Sequence, residues 1–421
     1  MSQFDAQLVR PLFPSLNIPA ESGNLPIFFD NPGGTQVPQM VIDAVADVYR
    51  RANAIPGGHF ATSKRSAVMF DAAHEAMADL FNAQSPNEIV FGMNTTTLNF
   101  ALAHALGHRL QSGDEIVLTR MDHDANVSPW LRLAQDQQLE VKWADIHTDD
   151  CTLDMASLED ALSERTRIVA TVHASNAVGT INPVSAIADM AHAVGAVYVM
   201  DAVQSVPHEP IDVQAIGCDF LLCSSYKFFG PHLGVMYGRY DLLDTLPAYQ
   251  VRPASPKPPT KWETGVQSFE SINGINATIA YLEQIGELYG EGDFPEYSGR
   301  RQVLKRAFAV TKLYEAELAA YLIEGLQSIP GVQIYGITDI NRMMERVPTV
   351  SFTMEGHLPE NIGQYLAERD IYLWTGNYYA IEIMKRLGHS AHGMVRVGLA
   401  HYNMRSEIDR LLQAIDELAR A

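Results

Sequence analysis

Lys227 is the residue of this sequence whose surroundings point most directly to covalent chemistry. It lies in Ser-Ser-Tyr-Lys-Phe-Phe-Gly-Pro, residues 224–231, directly after an apolar run that is typical of a buried strand. Burial disfavours the charged amine, and a lysine with a lowered pKa is a Schiff-base nucleophile. A solvated lysine on a loop is the common alternative. The residues around it therefore decide between the two readings.

Asp201 supplies an acidic partner for such a lysine. It directly follows the apolar strand pattern of residues 196–200, and Gln204 comes shortly after it. A lysine that binds an aldehyde and a carboxylate that keeps a pyridine nitrogen protonated are together what pyridoxal phosphate requires. The cap of a helix N-terminus is the alternative role for this aspartate. The pair with Lys227 predicts a pyridoxal-phosphate site.

Residues 92–97, Gly-Met-Asn-Thr-Thr-Thr, join a predicted strand to a predicted helix. Backbone N–H groups and hydroxyls at Asn94 and Thr95 would meet at the helix N-terminus, where phosphate binds favourably. An ordinary Asn or Thr cap is the alternative reading. The segment predicts a phosphate contact only in combination with the lysine and the aspartate.

Two further side chains are candidates for contacts with a cofactor and its substrate. His123, between two aspartates, follows the next predicted strand, and it either stacks on a planar ring or forms a surface ion pair. Arg396 interrupts the apolar run Met-Val-Arg-Val-Gly-Leu, where an unpaired buried charge would be costly. It needs an anionic partner, either a protein carboxylate or the α-carboxylate of a substrate, which a guanidinium grips with two hydrogen bonds.

The elements that must position these residues form an α/β pattern. From about residue 85 to 240, short β-branched runs alternate with longer helical patterns, which is the rhythm of βαβ units. Ligands of parallel sheets bind beyond the carboxyl ends of the strands, where the candidate residues lie. No G-x-G-x-x-G follows any strand, which argues against a dinucleotide. A second strand-and-helix set between residues 332 and 420 predicts a smaller α/β domain.

Composition and charge narrow the function classes further. The 421 residues are 47% apolar and 19% charged, which excludes a disordered or fibrous chain. Thirty basic against fifty acidic residues give a net charge of −20, so nucleic acid is not expected as a partner. The sequence shows neither a signal-peptide pattern nor an apolar run of membrane length, and a cytoplasmic protein is expected. Its three cysteines, Cys151, Cys218 and Cys223, predict free thiols and no structural metal.

Taken together, these motifs resemble the fold-type I pyridoxal-phosphate enzymes of the class V aminotransferase family, in its cysteine desulfurase-like branch. The resemblance rests on residues 29–35, Asn94-Thr95, residues 123–126, residues 173–183, Asp201 with Gln204, residues 224–227, and Arg396 with residues 401–403. It implies an α/β fold whose large domain has a mainly parallel seven-stranded sheet. The expected parts are an N-terminal segment, 1–26, packed on the small domain, a large cofactor-binding domain, 27–295, and a small C-terminal domain, 296–421.

The resemblance also assigns roles to residues. Lys227 would hold pyridoxal 5′-phosphate covalently and move protons, and His123, stacked on the ring, would be the second catalytic residue. The other expected cofactor contacts are Asn94, Thr95 and Ser224 to the phosphate, Asp201 to the pyridine nitrogen, Gln204 to the phenolic oxygen, and Tyr226. Asn176 and Arg396 would bind the carboxylate of a small amino-acid substrate. The family further implies a homodimer.

Two departures from the branch concern its sulfur chemistry and its subunit contact. Desulfurases carry a mobile cysteine in a segment resembling Arg-Ala-Gly-His-His-Cys, whereas residues 374–380 here read Trp-Thr-Gly-Asn-Tyr-Tyr-Ala. Tyr379 takes the place of the cysteine, and Cys223 lies in a predicted buried strand where inert packing is expected. Val266 stands where the family often has a threonine that reaches the partner's phosphate. Tyr226 replaces the usual histidine beside the lysine.

Several reactions fit these residues. The first is Cα or Cβ chemistry on a small amino acid, as a lyase or transferase without a persulfide cysteine. The Ser-Tyr-Lys segment and the missing cysteine also resemble the fungal decarboxylative aldolase of ustiloxin biosynthesis, which makes aspartate with an aldehyde an alternative. An aminotransferase or epimerase would need only proton transfer by Lys227. A non-catalytic scaffold is the alternative from another class, and the intact lysine, aspartate and histidine argue against it.

Overall fold

The computed structural model describes residues 4–290 and 292–420. The strands are β1 (Ile27–Phe28), β2 (Ile89–Gly92), β3 (Glu115–Thr119), β4 (Glu140–Ala144), β5 (Thr166–Val172), β6 (Val197–Asp201), β7 (Phe220–Ser224), β8 (Gly234–Gly238), β9 (Val332–Tyr335), β10 (Thr349–Met354), β11 (Ile371–Tyr372), β12 (Trp374–Gly376) and β13 (Met394–Gly398). The α-helices are α1 (Ala6–Val9), α2 (Gln39–Arg51), α3 (Ala61–Phe81), α4 (Thr95–Gly107), α5 (Ser128–Gln137), α6 (Met155–Ala161), α7 (Val184–Ala193), α8 (Val213–Ile216), α9 (Tyr240–Thr245), α10 (Phe269–Tyr289), α11 (Arg300–Gln327), α12 (Pro359–Ala367), α13 (Ile381–Arg386) and α14 (Arg405–Ala419). None of the helices in these ranges combines the length and hydropathy that crossing a bilayer requires.

The large sheet has seven strands in the order β2-β8-β7-β6-β5-β3-β4. Six of these strands run in one direction and β8 runs in the other, so the predicted mainly parallel seven-stranded sheet is confirmed. Alternate side chains leave a strand on opposite faces, and both faces of this sheet are covered. In β3, Ile116 and Leu118 enter the apolar cluster on one face while Val117 enters the cluster on the other. Each such buried side chain contributes about 1.5–3 kcal/mol to folding.

A second, four-stranded antiparallel sheet has the order β12-β13-β10-β9. Its apolar face packs on α11, α12 and α14 in a separate cluster that includes Phe352, Val395 and Ile408. Ser351 of β10 and Trp374 of β12 both pair with Arg396, so Arg396 lies on an inner strand of this sheet. The smaller α/β unit expected from the sequence is therefore present.

The two apolar cores are joined by α11 and by the N-terminal segment. The first half of α11 contributes Leu304 and Phe308 to the large cluster, and its second half contributes Leu322 to the small one. Residues 4–16 pack in the large cluster, whereas β1 pairs with β11 of the C-terminal part. The expected boundaries at residues 26/27 and 295/296 stay a prediction, because one continuous helix enters both cores.

The carboxyl ends of β3, β6 and β7 meet at one edge of the large sheet, because the three strands are parallel members of the same sheet. β6 ends at Asp201, and β7 ends at Ser224, from which a 3₁₀ turn, Ser225–Lys227, continues. β3 is followed by a short turn that carries His123 as its N-terminal cap. Three chemically active side chains are thus delivered to the same edge by backbone pairing.

Candidate active site

All ten site residues expected from the sequence line one cavity of about 1320 Å³ at this edge of the sheet. The loops after the large-sheet strands form one wall of the cavity, and residues 374–379, 390–393 and 396 of the C-terminal part form another. The site is therefore built between the two sheets. This matches the rule that ligands bind beyond the carboxyl ends of parallel strands.

Lys227 enters the cavity from the turn after β7. Its Nζ donates to the carbonyl oxygens of Pro32, at 2.5 Å, and Gly33, at 3.0 Å. Burial, and then the positive charge of Arg396, lower the pKa of Lys227 to about 7, against the opposing pull of Asp201. A large share of the amine is therefore neutral near pH 7, which is the form that attacks a carbonyl carbon.

Asp201 is 2% exposed at the end of β6. Its Oδ1 accepts a hydrogen bond from the Val203 amide at 2.9 Å. Burial raises its pKa to about 6, and the charge of Lys227 counteracts this. The alternative role as a helix cap is wrong, because the next helix, α8, begins at Val213 and is capped by Asp212. The carboxylate is available to a cationic group in the cavity.

The N-terminus of α4 opens on the same cavity. The Asn94 side chain accepts from the Thr97 amide at 2.9 Å, so the cap that was the alternative reading is present. Thr95 donates its amide to Ser224 Oγ at 3.0 Å. Gly234 permits this approach, because a Cβ there would lie 2.5–2.8 Å from the Asn94 backbone. Helix N–H groups and two hydroxyls therefore converge where an anion is favoured.

His123 is a partly buried, neutral group on the cavity wall. Its Nδ1 accepts from the Ala125 amide at 3.0 Å, so a proton on the ring belongs on Nε2. Burial and the charges of Lys227 and Arg396 lower its pKa to about 4. The alternative prediction of a surface ion pair for His123 is wrong within the described residues, since the neighbouring Asp122 accepts a hydrogen bond from the Asn126 side chain instead. The ring lines the cavity, and the Tyr379 ring lies 5.8 Å from it at an interplanar angle of 35°.

Arg396 is 5% exposed on β13, and no carboxylate of the described residues forms an ion pair with it. One terminal nitrogen donates to the Asn176 carbonyl at 2.8 Å, while Nε is buried without a partner. The Asn176 side chain donates to the Tyr378 carbonyl at 3.0 Å, and its Oδ1 is likewise buried and unpartnered. A buried cation with an unsatisfied donor indicates that an anionic ligand completes the arrangement.

Gln204 and Tyr226 complete the set. Gln204 donates to the Pro32 carbonyl at 2.8 Å, which is the same acceptor that Lys227 uses. The Tyr226 ring stacks on His232 with centroids 5.0 Å apart, and Lys227 Nζ lies 5.0 Å from the centroid of the same ring. The Tyr226 ring therefore lies beside the amine on the cavity wall.

Three residues of the site were not among the expected ones. The pKa of Asp30 is raised to about 6 by burial, and its Oδ1 has no partner, although the charges of Arg396 and Lys227 act on it. The Trp374 ring covers Gly33, where a Cβ would come within 2.6 Å of the indole Nε1. Tyr378 lies 4.3 Å from the guanidinium carbon of Arg396. The sequence could have indicated these residues through the two segments that contain them. Asp30 falls within the 29–35 motif, and Trp374 and Tyr378 fall within the 374–380 segment.

The three cysteines are buried and free, and none of them lines the cavity. Burial raises the pKa of Cys223 well above its ordinary value, with the charge of Asp201 acting in the same direction. Burial also raises the pKa of Cys151 to about 11. These thiols are therefore held in the unreactive, protonated form.

A family model described as aminotransferase class-V matches residues 27–288 and 303–411. The chain belongs to the class V aminotransferase family. It is 32% identical to a cysteine desulfurase of Pectobacterium atrosepticum over 99% of this chain and 98% of that one. An aminotransferase-like protein of Gibberella zeae is 34% identical over 99% and 98% of the two chains. The apo structure of a cysteine desulfurase from Thermococcus onnurineus superposes with a TM-score of 0.86 at 27% identity and covers 100% of both chains.

Family membership makes this chain a cysteine desulfurase-like pyridoxal-phosphate enzyme, as the sequence predicts. The donor set in the cavity fits that cofactor. It offers an amine with a lowered pKa, a buried carboxylate, and hydroxyls at a helix N-terminus. A cation with an unsatisfied buried N–H remains for the carboxylate of a substrate.

Proposed function

We propose that this family member acts at Cα and Cβ of a small amino acid, as a lyase or transferase, without passing sulfur to an enzyme thiol. The observation that carries the proposal is the shared cavity of Lys227, Asp201 and Arg396, in which no described cysteine takes part. Lys227 would hold the cofactor, Asp201 would pair with its pyridine nitrogen, and Arg396 would bind the substrate carboxylate. The reacting carbons would then lie close to the Lys227 amine.

The cofactor, when bound, supplies an electron sink that stabilises negative charge left on a substrate carbon. The chain's own residues would do the rest. Lys227 Nζ would take the proton from Cα and return one, a role that a pKa of about 7 suits near neutral pH. His123 would lie against the ring face, Gln204 would contact the phenolic oxygen, and Tyr226 would exclude water from the amine.

The phosphate would be held by Asn94, Thr95 and Ser224 at the N-terminus of α4. The hydrogen bonds between Thr95 and Ser224 keep two of these groups at a fixed separation. Asn176 would help Arg396 to orient the substrate carboxylate. We further propose a cytoplasmic homodimer, consistent with the family and with the commonest symmetric assembly.

The experiment is a product assay over a substrate panel. The protein loaded with pyridoxal phosphate is incubated with L-cysteine, L-aspartate, L-serine and L-alanine, and sulfide, alanine, pyruvate, carbon dioxide and racemised amino acid are measured. Turnover of one or more of them that Lys227→Ala abolishes is the expected result. Loaded protein that leaves every member of a wider panel unchanged would favour the non-catalytic scaffold.

A decarboxylative aldol reaction is the second candidate, and it is suggested by Tyr379 in the place of the desulfurase cysteine and by the Ser-Tyr-Lys segment at residues 225–227. The cavity of about 1320 Å³ would have to hold the cofactor together with both reactants, L-aspartate and an aldehyde. Incubation with L-aspartate and benzaldehyde, followed by mass spectrometry, tests this: the adduct forms together with carbon dioxide, or the candidate is rejected.

A further inference from the structure

Tyr378 is joined to the proposed carboxylate site by contacts on three sides. Its ring lies 4.3 Å from the guanidinium carbon of Arg396. Its hydroxyl donates to the carbonyl of Met394, two residues before Arg396 on β13. Its own carbonyl accepts from the Asn176 side chain at 3.0 Å. One residue thus contacts both members of the proposed carboxylate pair.

The contacts form a closed circuit. Arg396 donates to the Asn176 carbonyl at 2.8 Å, Asn176 donates to the Tyr378 carbonyl, and the Tyr378 ring faces Arg396. Displacing any one of the three would disturb the other two. A guanidinium over an aromatic face is attracted by the ring quadrupole, and the attraction grows when water is excluded, as it is around a 5% exposed arginine.

The backbone at this point is held in a rarely populated conformation. Tyr378 and Tyr379 have φ angles of +52° and +56°, in the left-handed region that disfavours bulky side chains. The segment is tied to the large-sheet side of the cavity, since the Asp124 amide donates to the Tyr379 carbonyl at 2.7 Å. Such conformations persist when the surroundings over-determine them, and they occur often at ligand sites.

The circuit leaves two polar atoms unsatisfied. Arg396 Nε and Asn176 Oδ1 are both buried without a hydrogen-bond partner. The guanidinium is therefore fixed by the aromatic ring and one carbonyl, while a donor remains for a ligand. A ring contact restrains the arginine without using any of its N–H groups, which a carboxylate partner would have consumed.

We propose that Tyr378 is a positioning residue for amino-acid recognition: its ring and carbonyl fix Arg396 and Asn176 in the geometry that selects a substrate by its α-carboxylate. This inference rests on the proposed function, in which Arg396 binds that carboxylate. The segment that carries a mobile cysteine in desulfurases would here serve as a fixed part of substrate selection.

The test compares two probes that differ only at the carboxylate. The holoenzyme is titrated with L-alanine and with L-alaninamide, and apparent dissociation constants are read from the visible absorbance of the bound cofactor. The wild type should prefer L-alanine. Tyr378→Leu should reduce that preference by about tenfold or more, and Tyr378→Phe, which keeps the ring, should change it by less than about threefold.

Tyr321→Leu is the matched control. Its ring lies 4.4 Å from the guanidinium carbon of Arg405, and its hydroxyl donates to Asp409 at 2.6 Å, so the variant removes an equivalent pair of contacts outside the cavity. The preference for L-alanine should survive it. Tyr378→Met replaces Tyr378→Leu if the latter does not fold, as judged by circular dichroism and Tm.

A second readout needs no amino acid. The charge of Arg396 acts on Lys227, which also faces Asp201 and Asp30. If Tyr378→Leu releases the arginine, the pH midpoint of the holoenzyme's visible band moves upward, whereas Tyr378→Phe and Tyr321→Leu leave it in place. If neither L-alanine nor L-alaninamide changes the absorbance of the bound cofactor, the shift of this pH midpoint alone tests the proposal.

Two failures are distinguishable. If Arg396→Gln keeps the preference for L-alanine, the carboxylate role in the proposed function is wrong. If Arg396→Gln abolishes the preference while Tyr378→Leu keeps both the preference and the midpoint, the function stands and the positioning role of Tyr378 is overturned.

Discussion

The hydroxyls of Thr95 and Ser224 lie 2.7 Å apart, although 129 positions separate the two residues in the chain. One begins helix α4, and the other ends strand β7, directly before the turn that carries Lys227. This hydrogen bond fixes the proposed phosphate end of the cavity relative to the amine.

Replacing Ser224 with Ala should lower the affinity for pyridoxal phosphate by about 10- to 100-fold, because one hydrogen bond to a charged group is lost. The buried Thr95 amide would also lose its acceptor. Equilibrium titration of the apoprotein, followed by cofactor absorbance, measures the change. Ser85→Ala is the control, since Ser85 accepts from the Asn87 amide away from the cavity, and it should leave the affinity as it is.

Lys227→Ala should abolish covalent fixation of the cofactor by borohydride, because no other described lysine lines the cavity. Peptide mass spectrometry of reduced wild-type protein should place the label on Lys227. Lys261→Ala provides the comparison, as Lys261 is also buried but donates to the Asp244 carbonyl. A label on Lys64 or Lys261 would overturn the assignment.

The rate at which apoprotein captures the cofactor should rise with pH through about 7 and then level off. The protonated amine below this pH does not attack, and the pKa of Lys227 sets the midpoint. Arg396→Gln should raise the midpoint, because the positive charge that disfavours protonation is removed. Stopped-flow absorbance between pH 5.5 and 9 tests both statements. Arg369→Gln, at a surface arginine stacked on Tyr365, should reproduce the wild-type curve.

Acidification should destabilise the fold between about pH 6.5 and 4, in part through His173. Burial lowers the pKa of His173 to about 4, so in this window the unfolded state binds a proton that the folded state excludes. The free energy of unfolding should fall by up to about 1.4 kcal/mol per pH unit for this group. Urea unfolding of the apoprotein at several pH values gives the free energy of unfolding as a function of pH. This free energy should fall less steeply with falling pH in His173→Gln than in the wild type. An equally steep fall in the variant would show that His173 does not contribute.

The sulfur of cysteine, if it is removed, should not pass through an enzyme persulfide. The triple variant Cys151→Ala, Cys218→Ala, Cys223→Ala should keep most of its turnover, with a lower Tm from the small cavities created. Alkylation and mass spectrometry after incubation with L-cysteine give the direct check. A persulfide mapped to one cysteine, together with loss of turnover in its single mutant and a normal cofactor spectrum, would contradict this expectation.

The sequence alone predicted the large sheet and the edge at which the candidate site lies, because both follow from the local pattern of apolar and polar residues. Strands with apolar residues on both faces predicted a covered parallel sheet, and the polar residue after each strand predicted the edge where Asp201 and Lys227 meet. The alternatives for Asp201 and His123 failed because both depended on solvent exposure or on a following helix, which only tertiary packing decides.

The surroundings of Arg396 were less predictable. The apolar strand around it showed that a partner was needed, but a backbone carbonyl and an aromatic ring take the place of a protein carboxylate. Tyr378 reaches that position through a left-handed backbone conformation, which a bulky residue rarely adopts and a local pattern does not reveal. The 1–26, 27–295 and 296–421 division, the site roles and the homodimer stay predictions.

The carbonyl of Pro32 accepts hydrogen bonds from both Gln204 and Lys227. Whatever recruits the lysine amine for covalent bonding competes with this acceptor, at a net value of about 0.5–1.5 kcal/mol for each hydrogen bond given up. The next residues toward the N-terminus lead back to Asp30, which bridges to Gly398 of β13. We therefore expect covalent bonding at Lys227 to loosen the backbone near Pro32, and limited proteolysis around residues 30–34, with and without added pyridoxal phosphate, measures this effect.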